Sequence, residues 1–231
     1  MDRKALAAPV VNAVVFRVAD CRLETLLWRR SDGTGCWSLP GGFLRRGETL
    51  FAGMHRHLLG KVGVRDVAHL EQLDSHTSDT HPELWLVDVE YMALIPRGSE
   101  PELPPDTEWH PVGDLPPIAF GHASAVERAH ERLRGKLSYS NVAFGLVPER
   151  FIVSELVRVY EAVLGYRVDA TNLQRVLERD GLVERTGGRR STGGRPATEF
   201  RFTARELVVS RPLAAFRAPA AGRGRAPGPS A

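Results

Sequence analysis

Residues 42–64 read GFLRRGETLFAGMHRHLLGKVGV, and the spacing within them decides how the N-terminal half is read. Leu50, Met54, Leu58 and Val62 recur every four residues, which predicts a helix over 50–62 with those side chains facing a core. His57, Gly60 and Lys61 stand at i, i+3 and i+4, so the same helix gathers them on one face. That face carries no carboxylate. The stretch 37–41, Trp-Ser-Leu-Pro-Gly, leads into it.

Outward from this helix, the chain alternates strand and turn signals. Val10–Val18 is apolar and β-branched and predicts a buried strand. Thr25–Arg30 predicts its hairpin partner across a turn near Asp20, Cys21 and Arg22, and Ser31–Gly35 a loop. Val67–Leu73 and Leu84–Leu94 read as further strands, and the proline- and acid-rich stretch Pro96–Pro117 as largely loop. Strands around one well-marked helix predict an α+β mixed-sheet sandwich.

The pattern changes after His122. Ala123–Leu137 is helical in period. Val153–Leu164 is an amphipathic helix stopped by Gly165, and Asp169 is placed to cap a second helix from Ala170 to Asp180. Two short helices across a glycine-containing turn match a helix-turn-helix. Leu182–Arg185 and Glu199–Phe202 read as short strands on either side of a glycine-rich basic loop at 186–196, the pattern of a winged helix. From Ser210 the chain is mostly Ala, Pro, Gly and Arg, which predicts disorder. The expected organisation is therefore a domain over 1–137, a winged helix-turn-helix over 138–209, and a tail over 210–231.

Composition narrows the class. Apolar residues make up 42% and charged residues 26% of 231, as in a globular protein with room for one large or two small domains. No apolar run is long enough to span a bilayer, and the start lacks a signal-peptide core, which together predict a cytoplasmic protein without membrane contact. Cys21 and Cys36 make no disulfide or zinc pattern and are expected as small buried hydrophobes. The net charge of +3 hides an asymmetry. From Leu182 to the end there are ten arginines against three acids, a net +7 that leaves −4 for the rest. Such a split points to a polyanionic partner at one end.

The second predicted helix of the C-terminal pair buries Leu173, Val176 and Leu177 and turns Thr171, Asn172, Gln174, Arg175 and Arg179 outward. Arginine suits guanine edges, Asn and Gln suit adenine, and Thr suits either. Arg189, Arg190 and Arg195 in the predicted wing are suited to phosphate or minor-groove contact. These eight residues are the predicted DNA surface, and double-stranded DNA the predicted partner.

The 42–64 stretch resembles the Nudix box, whose pattern is Gly, five residues, Glu, seven residues, then Arg-Glu-aliphatic-any-Glu-Glu-any-Gly-aliphatic. Gly42, Glu48, Arg56, Leu58, Gly63 and Val64 keep their places, while His57, Gly60 and Lys61 stand where the family has glutamates. In active relatives those glutamates hold divalent metal against a pyrophosphate. Mg²⁺ needs oxygen ligands. Gly60 offers none, Lys61 is a cation and His57 is a poor Mg²⁺ ligand. Without metal, both the Lewis acid and the activated water are lost. The resemblance thus implies a Nudix-like domain with no catalytic residues, no metal and no cofactor. It also implies that Glu48 and Arg56 pair across the motif helix and persist as structure.

The chain from residue 10 to about 207 resembles the Nudix-related transcriptional regulators (NrtR). The resemblance rests on the altered box, Ser138–Phe144, Leu146–Phe151 and the winged helix with Gly194-Arg195-Pro196-Ala197. It implies a homodimer that binds a palindromic operator and represses genes of NAD metabolism. It implies release of DNA by ADP-ribose or a related nucleotide bound in the Nudix-like domain. One departure is Ile152, where relatives often carry a helix-capping threonine, so the helix start is expected to shift to Ser154. Lys61 is placed to meet a pyrophosphate in place of metal, with Arg29, Arg30 and Arg45 as further candidates and Trp37 or Phe43 as a surface for a base. Two alternatives stand beside this reading. One is an active Nudix hydrolase of nucleoside diphosphate derivatives with an accessory nucleic-acid-binding domain, its metal held by Asp88, Glu90 or Glu102. The other is an RNA-binding or protein-interaction module that uses the arginine-rich tail.

Overall fold

A computed structural model describes residues 7–30, 35–78, 81, 84–191 and 196–210. The N-terminal half is a mixed sheet in the order β3-β2-β1-β6-β5, with β4 also on β1 and β7 also on β2. These strands are β1 (Ala7–Ala19), β2 (Arg22–Arg29), β3 (Trp37–Ser38), β4 (Gly41–Phe43), β5 (His69–Ser78), β6 (Trp85–Leu94) and β7 (Thr107–Pro111). Among the described strands β1 and β6 run parallel, in a register that sets Val10 opposite Asp88 and Asn12 opposite Glu90. Side-chain alternation along β1 divides the interior. Val11, Ala13 and Val15 pack against Met54, Leu58 and Val62 of helix α1 (Leu50–Val62). Val14, Phe16 and Val18 pack on the opposite face, against Val126, Ala129 and Leu133 of helix α2 (His122–Leu137).

Helix α1 starts where Thr49 accepts a hydrogen bond from the Ala52 amide (3.1 Å) and ends at Gly63, which adopts φ 68°. A side chain at 63 would also run into the Glu102 carbonyl, so the glycine is required twice over.

The proline-rich stretch is not all loop. β7 lies inside it and pairs with β2 from Thr107 to Pro111. Prolines on both sides mask the short pattern, and Pro111 is tolerated because it closes the strand. Strand β5 runs five residues past Leu73, since its ladder to β6 continues to Ser78. The cysteines also depart from expectation. Cys21 is exposed in the left-handed β1–β2 turn (φ 60°), and Cys36 is partly exposed.

The C-terminal half holds β8 (Phe151–Ile152), α3 (Val153–Leu164), α4 (Ala170–Arg179), β9 (Val183–Arg190) and β10 (Ala197–Phe202), with β10 between β8 and β9. This is a winged helix, so the molecule has the predicted fold: a Nudix-like α+β sandwich followed by a winged helix-turn-helix. Helix α3 begins at Val153 rather than Ser154. Ile152 lacks a capping oxygen, and the Glu155 carboxylate instead accepts the Ile152 amide (3.0 Å). The β9 and β10 strands are longer than predicted, so Arg189 and Arg190 lie on a strand rather than in the loop. Residues 192–195, including Arg195, and residues 211–231 lie outside the described residues.

The α2-side core runs without a break into the winged helix, through Tyr160, Val163, Leu173, Leu177 and Phe200. Asn141, buried at the junction, clamps the end of the described chain. Its amide donates to the Ala204 and Glu206 carbonyls (3.2 and 2.9 Å), and its carbonyl accepts from the Val208 amide (2.7 Å).

Candidate functional site

In the box, the Glu48 and Arg56 charges are occupied by the protein itself. Arg56 donates to both Glu48 oxygens (2.7 and 2.7 Å) and to the Phe43 carbonyl (3.1 Å). The Arg56 hydrogen bonds, then the Arg45 amide (2.9 Å), draw the Glu48 pKa down to about 2. His57 is buried, and its Nε2 donates to the same Phe43 carbonyl (3.0 Å). Burial lowers its pKa, so it stands as a neutral imidazole. Gly42, at φ 153°, lies over the His57 ring, where a Cβ would come within 2.7 Å of Cε1. The glycine, the histidine and the Glu48–Arg56 pair thus lock the end of β4 onto α1. This donor set does not fit a divalent metal: one carboxylate is consumed by arginine, one imidazole nitrogen by a carbonyl, and Gly60 and Lys61 supply no ligand.

Beside the box lies a cleft of about 410 Å³. Its floor lies along the middle of the β1–β6 pair, where Asn12, Asp88 and Glu90 replace the apolar residues found farther along the strands. Asp88 accepts from Asn12 (3.3 Å) and Ser78 (2.6 Å), and Glu90 accepts from Arg128 (2.6 Å). One wall is Ser38, Leu39, Phe120 and His122, and the rim carries Arg30, Phe43 and Lys61. Lys61 sits 4.3 Å above the Trp28 ring and has no carboxylate partner among the described residues. Burial, then Arg30 and Arg56, lower its pKa. An anion at the rim would relieve that cluster of positive charge.

Of the residues predicted for the ligand, the fold brings Arg30, Phe43 and Lys61 to the cleft and leaves three elsewhere. Trp37 is buried edge-on against His110 (4.6 Å), with Arg29 stacked on its other side (4.7 Å). Trp37 is therefore core and Arg29 its cover, because β3 turns the indole inward rather than toward the cleft. Arg45 is exposed in the loop before α1, where its amide serves Glu48. The sequence pattern did not single out Asn12, Phe120 and His122. A polar residue inside an apolar strand was the available signal for Asn12; nothing local marked the other two.

The acids offered as alternative metal ligands separate. Asp88 and Glu90 share the cleft floor, while Glu102 lies across α1 at Gly63. Ligand atoms of Asp74, His76 and Glu90 lie within 4.8 Å of one another. The Arg128 guanidinium already reaches both acids, at 3.6 Å from Asp74 and 2.6 Å from Glu90, and fills the place of a cation.

On the winged helix, α4 projects Thr171 and Arg175 into solvent, with Asn172 and Gln174 half-exposed. Asp169 fixes the helix start by accepting the Asn172 amide (2.6 Å). Asn172 and Arg175 join on one edge (2.7 Å), and Gln174 leans on Glu178 (3.1 Å). Arg179 is drawn to Asp180 (2.8 Å) at the far end of the helix, away from the N-terminal residues that enter a groove in this fold. Arg189 is exposed and touches the Pro196 carbonyl (3.1 Å). Arg190 departs from the predicted DNA role. It turns inward to Glu155 (2.9 Å), Glu199 (3.0 Å) and the Arg150 carbonyl (2.9 Å), since placement on β9 points it at the start of α3. Arg167, in the turn before α4 with a side chain 96% exposed, is a cation that sequence pattern alone did not mark.

A Nudix sandwich whose box holds His57, Gly60 and Lys61, continuous with a winged helix, defines the class of protein: an altered Nudix-type domain joined to a winged helix. Comparison with known proteins agrees on both parts. A NUDIX domain family model matches residues 8–129, and the NrtR DNA-binding winged helix domain model matches residues 143–202. The ADPR responsive transcriptional repressor NtrR of Acinetobacter baylyi is 32% identical over 183 residues, covering 75% of this chain and 73% of that protein. The structure of Shewanella oneidensis NrtR complexed with a 27mer DNA superposes with TM-score 0.73 at 32% identity, covering 84% of this chain and 92% of that one. The NUDIX domain of the same Shewanella protein, complexed with ADP ribose, matches with TM-score 0.50 at 33% identity, covering 55% of this chain and 89% of that domain. The chain belongs to the NrtR family.

Proposed function

We propose that this protein is a DNA-binding transcriptional repressor, acting on genes of NAD metabolism, which releases its operator when ADP-ribose or a related nucleotide occupies the cleft beside the altered box. The observation that carries the reading is Lys61: a half-buried cation without a carboxylate partner among the described residues, standing where an active relative places a metal ligand. It offers a diphosphate its counter-charge and supplies no activated water. Support for the DNA half comes from the Thr171, Asn172 and Arg175 edge of α4, and from the Shewanella relative solved on DNA.

In this reading residues 1–137 bind the effector, residues 138–209 bind DNA, and the chain acts as a homodimer on a palindromic site in the cytoplasm. Among the described residues no helix is long and apolar enough to cross a membrane. The test is a titration on promoters of NAD-biosynthesis genes, with and without ADP-ribose. Salt-sensitive, sequence-specific binding that ADP-ribose weakens is expected; specific binding indifferent to every nucleotide refutes the sensor. Deleting residues 210–231 should leave specific binding intact, which separates this reading from a tail-driven interaction module.

A hydrolase reading draws on the Asp74, His76 and Glu90 group. Because Arg128 already neutralises it, no Mg²⁺-dependent release of AMP from ADP-ribose is expected, and detection of that release would restore the enzyme.

A further inference from the structure

Helix α2 begins with a side chain that the box does not explain. His122 is buried at the wall of the cleft, after a turn in which Phe120 takes φ 61° and Gly121 φ 70°. Its Nδ1 accepts the Leu39 amide (3.2 Å) and meets the Ser38 hydroxyl (3.3 Å). An amide proton can only point at a bare nitrogen, so the ring proton resides on Nε2. Burial lowers the His122 pKa to about 4, and the ring is neutral at physiological pH. Nε2–H has no protein partner among the described residues. It is a fixed donor in a cleft whose lining also holds the carboxylates of Asp88 and Glu90, the latter paired with Arg128, and the charges of Asp88, then Arg30, act on the imidazole.

A fixed neutral donor beside a carboxylate acceptor selects one kind of group. Phosphate is disfavoured beside Asp88, which holds no ion pair among the described residues, because that charge repels it and the neutral imidazole brings none to offset it. A hydroxyl satisfies both sides, accepting from Nε2–H and donating to Asp88. The cations of the lining are Lys61, over Trp28 (4.3 Å), and Arg30, stacked on Phe120 (4.5 Å), and they can hold the phosphates while the hydroxyl pair sits at His122 and Asp88. We propose that His122 is a specificity-determining residue of the cleft. With Asp88 it binds the hydroxyls of a terminal sugar, while the diphosphate that carries the sugar stays at the rim. The effector is then a nucleoside diphosphate sugar read by its sugar end, not by its nucleotide half. This rests on the effector reading above and adds which part of the ligand is recognised.

The test is calorimetric titration of the full-length protein with ADP-ribose and with ADP. The wild type should bind ADP-ribose at least about tenfold more tightly, since a site built to pair hydroxyls penalises their absence strongly. His122→Ala and Asp88→Asn should each erase that preference while leaving ADP affinity within about threefold. Two variants are used because His122 also holds the Leu39 amide; thermal unfolding identifies a variant that no longer folds, and the wild-type comparison needs neither. Equal binding of both nucleotides by the wild type overturns the assignment and leaves the sensor standing. So does equal weakening of both in the variants, which would place His122 on the shared nucleotide half. Failure of the wild type to bind either removes the effector reading and this inference together.

Discussion

The cleft and helix α4, the proposed DNA surface, are assembled in opposite ways. The cleft draws Asn12, Ser38, Lys61, Asp88 and His122 from five elements, and the buried polar groups on its floor and wall hold one another in place. The α4 edge draws Thr171, Asn172 and Arg175 from a single turn and a half of helix, in contact with solvent. Electrostatic effects are strong where water is excluded and weak where it is not. Changes in the cleft should therefore alter folding and ligand binding together, whereas changes on α4 should alter DNA binding alone.

The sharpest test of that contrast is the pH response of His122. In the unfolded chain its imidazole takes up a proton near pH 6.5, but in the folded protein only near pH 4. Between those values the unfolded chain holds more protons, so acid favours unfolding. The stabilising contribution is whole above pH 6.5, declines as pH falls through this window, and is fully lost below about 4. Urea unfolding should show about 2 kcal/mol of His122-dependent loss between pH 7 and pH 5, at about 1.4 kcal/mol for each pH step over which only the unfolded chain is protonated. His122→Gln should flatten that part of the slope. An unchanged slope in the variant would mean that the cleft wall is wetter than its burial indicates, and the contrast with α4 would weaken.

Opposite on this scale is Arg175→Ala. Loss of one base-edge or phosphate contact should weaken operator binding by about 2 kcal/mol, some thirtyfold, with the unfolding midpoint and ADP-ribose affinity unchanged. The readout is a fluorescence anisotropy titration at two salt concentrations. If the variant also loses nucleotide affinity, the two regions are coupled through the shared core and are not independent surfaces.

What was legible in the sequence follows the same division. Helices α1, α3 and α4 were readable because a four-residue apolar repeat and a cap lie within a dozen positions, as with Asp169 ahead of Leu173, Val176 and Leu177. The box was readable as a spacing, and Lys61 as the odd charge within it. His122 was not, since its meaning comes from a backbone amide 83 positions away. Trp37 misled for a related reason: which way an aromatic points depends on the partner of its strand, here β2. Arg190 lies differently from expectation because the wing strands extend by register, and one further residue of pairing decides whether an arginine turns outward or toward Glu155.

Arg190 consequently tests the boundary between the two behaviours. It sits in the DNA-binding half but is held like a cleft residue, by two carboxylates and a carbonyl. Arg190→Ala should cost about 1.5 kcal/mol in unfolding free energy, in the range of a hydrogen bond to a charged group at a part-exposed site. It should weaken DNA binding only through a loosened wing. Arg189→Ala, one position away and exposed, should do the reverse. If Arg190→Ala leaves the unfolding midpoint unchanged and lowers the salt dependence of DNA binding, the residue contacts phosphate after all.

The smallest effect is expected at Asp169, which caps α4 through the Asn172 amide. Removing an N-cap carboxylate typically costs about 1 kcal/mol. The same amide lies beside the edge formed by Asn172 and Arg175, so fraying of the first turn displaces the groups proposed to read DNA. Asp169→Ala should lower stability by about that amount and operator affinity by about threefold, whereas Asp169→Ser, which keeps a capping oxygen, should recover most of both. Rescue by serine separates a capping role from a simple charge effect, because the alternative, repulsion between Asp169 and phosphate, predicts tighter binding by either variant. Measured side by side, the two substitutions decide whether the start of α4 is held for the helix or shaped by its ligand.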